Sequence, residues 1–267
     1  MMNFVLGLLS LLLLAFLALV GVAYFYQDRM LFHPTPVAAD SRDKLAPWAV
    51  SSMIGGARLH GWYAPADRAD APLLVYYGGN AEEVSWNLPA LRELGVAVLL
   101  FNYRGYGLSE GEPSEAALKA DALALLDHWL EQTGRSPAET ILMGRSLGSG
   151  VATYVASQRA VRGVILVTPY DSLVRVGQTH YPWFPVSTLM RNRFESIKLA
   201  PQLSMPLLSI LAEQDRVVPP ALGRRLSSAW QGPVTELEIK GADHINLTSA
   251  PDYQPALKKF VDDLSRD

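Results

Sequence analysis

The feature that most restricts the fold of this chain is an alternation that begins near residue 72: short, almost wholly apolar runs separated by glycine-bearing turns and stretches of helical character. Pro72–Tyr77, Val96–Tyr103, Thr140–Met143, Val161–Val167, Pro206–Ala212 and Val234–Ile239 read as strands. Glu82–Leu94, Ser114–Gln132, Leu147–Gln158, Ala221–Trp230 and Ala250–Leu264 read as the helices between and after them. Strands apolar on both faces and joined by helices form a mostly parallel sheet covered by helices on both sides. Two earlier runs, Trp48–Met53 and Arg58–Tyr63, flank Gly55-Gly56 and predict a hairpin. In such a sheet ligands bind beyond the carboxyl ends of the strands, and the polar motifs are to be sought there.

One segment breaks the rhythm. Residues 172–199 are rich in aromatics and prolines, including Tyr181-Pro182-Trp183-Phe184-Pro185, and show no strand pattern. An insertion of this kind above the sheet edge predicts a small cap, with Trp183 and Phe184 expected either to line an acyl or hydrophobic alcohol pocket or to serve as packing.

The amino terminus is a different material. Phe4 to Tyr26 gives about 23 consecutive residues without a formal charge, enough helix to cross a ~30 Å hydrocarbon layer. Tyr24, Phe25 and Tyr26 fall where an aromatic belt meets headgroups. The competing readings are a core helix, which would show a polar face, and a cleaved signal peptide, which would carry Lys or Arg before the apolar run; Gly21-Val22-Ala23 would serve as a cleavage site. The expected organisation is a membrane anchor over 1–30, a connector over 31–47 and a catalytic domain over 48–267, in a protein that crosses a membrane once, taken as a bacterial inner membrane. Arg29, Arg42 and Lys44 after the span favour a domain on the cytoplasmic side, but Asp28 and Asp43 lie among them and the direction stays open.

Charge and cysteine content narrow the chemistry. With 23 Lys and Arg against 26 Asp and Glu, scattered rather than striped, the 267-residue chain has nothing to attract nucleic acid. Zero cysteines remove disulfides, thiolate metal sites and a Cys nucleophile together. No cofactor and no metal are expected. The oligomeric state is open.

What the sequence does offer is Gly144-Arg145-Ser146-Leu147-Gly148, set between an apolar strand and a helix. The bare pattern arises by chance in roughly one chain in ten of this length. Its placement says more: a nucleophile elbow needs a strand, a tight glycine-flanked turn and an immediate helix, which together hold the serine in a strained conformation with its hydroxyl projecting. A serine hydroxyl needs a base, usually His, oriented by a carboxylate. Of five histidines, His33, His60, His128 and His180 read as surface or packing residues. His244 follows the last strand and opens at the same sheet edge as Ser146. For the orienting acid two residues end strands on the correct side, Asp215 and Asp171; Asp215 is preferred as one strand nearer His244, and Asp171 is expected to cap the next turn or helix. Two backbone amides are expected to stabilise a tetrahedral oxyanion: Leu147, at a helix N-terminus, and Asn80, in the Gly78-Gly79-Asn80-Ala81 loop.

With these pieces in order, the chain from Leu31 to the carboxyl terminus resembles the α/β-hydrolase superfamily, and more narrowly its membrane-anchored branch of Bem46-like and ABHD13/ABHD17-type proteins. The resemblance rests on Gly79-Asn80-Ala81, Asn102 through Gly111, Gly144 through Gly150, Tyr181 through Val186, Asn192-Arg193-Phe194, Glu213-Gln214-Asp215 and Asp243-His244. It implies an α/β-hydrolase fold, a Ser146, Asp215, His244 triad, and metal-free hydrolysis of small acyl esters or thioesters, lipid-like ones included. A peptidase of the same fold and a non-catalytic membrane-tethered binding protein are the alternatives. The family usually has His where Gly78 stands and Asp where Asn102 stands. The first departure is expected to loosen the Asn80 loop, and the second to remove a hydrogen bond holding the Tyr103 to Gly111 loop.

Overall fold

The structure is a computed structural model that describes residues 1–266. It opens on a 30-residue helix, α1 (Met2–Leu31). At 1.5 Å per residue this helix runs about 45 Å, none of its residues is buried, and it is long and apolar enough to cross a membrane. A short helix, α2 (Ala39–Lys44), leads into the sheet.

Strands β1 (Ala49–Ile54) and β2 (Ala57–Ala64) pair antiparallel across Gly55 and Gly56, whose φ values of +52° and +78° are the left-handed geometry that such a two-residue turn requires. The remaining strands are β3 (Leu73–Tyr77), β4 (Ala97–Phe101), β5 (Thr140–Arg145), β6 (Gly163–Val167), β7 (Leu207–Ala212) and β8 (Val234–Ile239). The eight form one sheet in the order β1-β2-β4-β3-β5-β6-β7-β8. Strand β2 meets β4 antiparallel, and from β4 to β8 every pair is parallel.

The helices in chain order are α3 (Leu88–Arg92), α4 (Glu115–Thr133), α5 (Leu147–Gln158), α6 (Leu173–His180), α7 (Val186–Leu189), α8 (Pro220–Ala229) and α9 (Tyr253–Leu264). Alternation along the strands divides the core in two. Leu73, Val75, Tyr77, Leu142, Val164 and Leu166 pack with α4, α5 and α8 on one face. Leu74, Tyr76, Ile141, Met143, Ile165 and Val167 pack with α3 and α9 on the other.

Glu82–Leu94 departs from its expected helix. It folds as a 3₁₀ turn over Val84–Asn87 and the five-residue α3, because the Glu82 and Glu83 side chains turn inward and Pro89 starts a new helix. Segment 172–199 holds α6 and α7 joined by the Tyr181–Pro185 turn and contains no strand.

Candidate active site

Ser146 sits between β5 and α5 with φ +49° and ψ −115°, a conformation few L-residues adopt. Hydrogen bonds impose it from both sides. The Ser146 N–H donates to the Val167 carbonyl at 2.8 Å, and its carbonyl accepts from the Ser149 amide at 2.9 Å and hydroxyl at 2.7 Å. The flanking glycines are needed for approach: a Cβ at Gly144 would run into the backbone of Gly148, and one at Gly148 would overlap the Tyr77 carbonyl. Strand, turn and helix can therefore pack this tightly only without side chains at those two positions.

The loop after β8 brings His244 against the serine. Its Nε2 lies 3.0 Å from Ser146 Oγ and its Nδ1 2.7 Å from Asp215 Oδ2. Asp215 is buried in the turn after β7, where its other oxygen, Oδ1, accepts from the Val217 and Val218 amides at 2.8 and 2.7 Å. Those two donors fix the carboxylate in place and satisfy a charge that is otherwise costly to bury. The geometry thus joins Ser146, His244 and Asp215 in one chain of hydrogen bonds.

Asp171 is elsewhere. The residue that caps α6 is Ser172, whose hydroxyl accepts from the Arg175 amide, so the capping role expected of Asp171 belongs to its neighbour. Asp171 is fully buried, with Oδ2 paired to Arg225 Nε at 2.8 Å and Arg175 Nε at 3.2 Å. Past the end of β6, Asp171 is thus paired with two guanidiniums, while His244 is paired with Asp215.

The amide of Leu147 follows the serine at the first position of α5, and that of Asn80 lies in the loop after β3, where a Cβ at the preceding Gly79 would stand 3.7 Å from that of Ser146. Among the described residues neither N–H donates to a protein acceptor. Leu147 also stands at the positive end of the α5 dipole, where a developing negative oxygen is favoured. Tyr170 Oη donates to the Leu147 carbonyl at 3.1 Å, and burial pushes that phenol well above its ordinary pKa, so it stays a donor.

The Asn80 loop is clamped, contrary to the looseness expected from Gly78. Glu82 Oε2 accepts from the Gly79 amide at 2.6 Å, Tyr103 Oη donates to the Gly78 carbonyl at 2.9 Å, and a Cβ at Gly78 would collide with Val84. The Asn80 side chain adds a second clamp. Its Oδ1 accepts from Tyr106 Oη at 2.7 Å and from the His33 amide at 3.0 Å, while its Nδ2 donates to the Leu31 carbonyl at the end of α1. Asn102 does not hold the Tyr103 to Gly111 loop with its side chain, which instead accepts from the Val84 amide and donates to Glu83. That loop is held by the Asn102 carbonyl, which accepts from Ser109 Oγ, and by Tyr106.

Two supporting residues escaped the sequence reading. Arg145, the residue before the serine, donates through Nη2 to the His244 carbonyl at 3.0 Å and lies 3.3 Å from Glu82. Burial works against its charge, yet the Glu82 carboxylate raises its pKa above the usual value. One ion pair therefore links the His244 loop to the Asn80 loop. The only sequence signal was a carboxylate three residues after Gly79. Of the two expected pocket aromatics, Phe184 lines a cleft beside α1, whereas Trp183 is exposed and absent from its lining, its ring packed edge to face on Phe184 at 5.8 Å.

Comparisons with known proteins agree with this architecture. Residues 59–196 match the family model described as alpha/beta hydrolase fold. An uncharacterized protein of Mycobacterium tuberculosis is 35% identical over 225 residues, covering 82% of this chain and 80% of its own. The lysophosphatidylserine lipase ABHD12 of Danio rerio is 32% identical over 188 residues, covering 62% of this chain and 49% of the lipase. A solved esterase from Pyrococcus furiosus superposes with a TM-score of 0.68 at 16% identity over 88% of this chain and 100% of that one, a likeness of fold. With the family model spanning more than half of its length, the chain belongs to the α/β-hydrolase family.

Proposed function

We propose that this protein is a membrane-anchored serine hydrolase that cleaves acyl esters or thioesters, working through a Ser146, His244, Asp215 triad. The observation that carries the reading is the unbroken run from Ser146 Oγ through both nitrogens of His244 to Asp215, with spacings of 3.0 and 2.7 Å, on a serine held in a strained turn. Membership of a hydrolase family and similarity to a lysophosphatidylserine lipase support the ester class. The apolar α1 supports a membrane anchor over 1–30, with 31–47 as connector, 48–267 as catalytic domain and 172–199 as its cap.

In this mechanism Asp215 holds His244 with Nδ1 protonated, leaving Nε2 as the base. As Ser146 Oγ attacks the substrate carbonyl, Nε2 takes its proton and the carbonyl oxygen becomes an oxyanion between the Asn80 and Leu147 amides. Collapse of this intermediate breaks the bond to the alcohol or thiol, which leaves with the proton from Nε2. A water, deprotonated by the same nitrogen, then attacks the acyl-serine and releases the acid, restoring Ser146. Amides fixed before the reaction starts are worth about 10²–10³-fold per donor in comparable sites.

The test is Ser146→Ala. Loss of both p-nitrophenyl ester hydrolysis and fluorophosphonate labelling is expected; labelling that persists in the variant removes the central claim.

A further inference from the structure

The last turns of α1 are bound to the catalytic domain at two places. Toward segment 189–192, Gln27 Oε1 accepts from the Arg191 amide at 2.7 Å, and Asp28 accepts from Arg191 Nη2 at 2.7 Å and Asn192 Nδ2 at 2.6 Å. The Arg191 guanidinium also sits 5.6 Å from the Tyr24 ring. Toward the loop after β3, the Leu31 carbonyl and His33 amide are both held by the Asn80 side chain.

Between these attachments lies a cleft of about 310 Å³, at the low end of the ~300–1,000 Å³ typical of ligand sites. One wall is α1, through Ala23, Met30 and Leu31; the other is α6 and the segment after it, through Leu173, Val176 and Phe184. Two of its lining residues are bonded to loops that carry the site. Leu31 is tied to Asn80, and His180, also in the lining, places Nε2 2.9 Å from the carbonyl of Val217, two residues past Asp215.

The surroundings indicate what fills it. The rest of α1 is unburied and suited to the hydrocarbon layer, so a cleft built against its last turns sits where the helix leaves the bilayer. Tyr181, Trp183, Val217 and Ile245, which adjoin the same rim or His244 in sequence, leave 56%, 64%, 50% and 77% of their surface exposed. Apolar and aromatic side chains so exposed suit a membrane interface better than water.

We infer that α1 forms one wall of the substrate site, and that the cleft takes the acyl chain of a membrane lipid ester entering sideways from the bilayer along this helix. The inference rests on the hydrolase reading and adds to it a source and a path for the substrate. An aliphatic lining selects for length: each methylene buried there is worth about fourfold in kcat/KM, by the transfer free energy of one CH₂.

The experiment compares p-nitrophenyl dodecanoate with p-nitrophenyl butanoate, using full-length protein in detergent micelles. Ala23→Trp fills the cleft from the anchor side and Val176→Trp from the opposite wall. Val22→Trp places the same indole on α1 at an exposed position outside the lining. The dodecanoate-to-butanoate ratio of kcat/KM is expected to fall at least tenfold in the first two variants and to stay within twofold in the third. An unchanged ratio in Ala23→Trp, or an equal fall in Val22→Trp, overturns the inference while Ser146 still labels with a fluorophosphonate. Failure of well-folded wild type to label overturns the hydrolase reading itself, and this one with it.

Discussion

Replacing Ser146 by glycine and by alanine separates the strain stored at the nucleophile from its chemistry. Both variants lack the hydroxyl, so both are inactive and differ only in how readily the backbone accepts φ +49° and ψ −115°. The bonds to Val167 and Ser149 hold residue 146 from either side, so alanine cannot relax without losing them. A non-glycine residue in a sparsely populated region costs about 1–3 kcal/mol. Glycine escapes this but forfeits roughly 0.5–1 kcal/mol through greater freedom in the unfolded chain. Taking the middle of each range, the difference leaves Ser146→Gly about 1 kcal/mol more stable than Ser146→Ala. In a chain of this size that corresponds to a melting temperature about 2–4 °C higher. Thermal unfolding of the two proteins, followed side by side in the same detergent, reads the difference directly. A glycine variant that melts at or below the alanine variant would show that the turn is unstrained and the argument wrong.

Asp215→Asn should lower kcat by about 10³–10⁴-fold with the fold intact, since it removes the carboxylate that fixes the histidine tautomer; Asp171→Asn should instead lower the melting temperature and leave kcat nearly unchanged. A reversal of these two outcomes in steady-state ester kinetics would assign the acid to the other strand. Glu82→Gln removes the charge facing Arg145 and weakens the bond to the Gly79 amide, so both loops that flank Ser146 lose a restraint; a fall in kcat of about 10–100-fold is expected from a displacement of the order of 1 Å, and a wild-type kcat would dismiss the role of this ion pair. Burial lowers the pKa of His60 from 6.5, outweighing the opposing pull of Glu83. The unfolded chain therefore takes up a proton that the folded chain resists, and stability falls as pH drops through 6.5 toward the lowered value. Denaturant titrations between about pH 7 and 5 should show wild type losing more stability than His60→Gln, whereas parallel curves would leave His60 without a part.

The placement of Ser146 was legible in the sequence because its requirements are local. An apolar strand, two glycines at fixed offsets and an immediate helix are properties of neighbouring residues, and so are the periodicities that set most of the other elements. His244 was legible for a related reason: it stands in the turn after the last strand, and parallel strands deliver all such turns to one edge. The Glu82–Leu94 segment was misread because its helical composition is overruled by two carboxylates that find partners inside the molecule. Glu82 meets Tyr76, Gly79 and Arg145, and Glu83 meets Ser85 and Asn102.

The sequence by itself determined most of the strand and helix alternation, the apolar run within the terminal helix and the tight turn at Ser146, each governed by residues within a few positions of one another. Only the tertiary structure decided which of two strand-ending aspartates meets His244, that Phe184 rather than Trp183 faces the cleft, and that Asn80 ties the end of α1 to the loop beside the serine. Those outcomes depend on distances between segments dozens of residues apart. Such distances arise from strand order and packing, which local patterning does not encode.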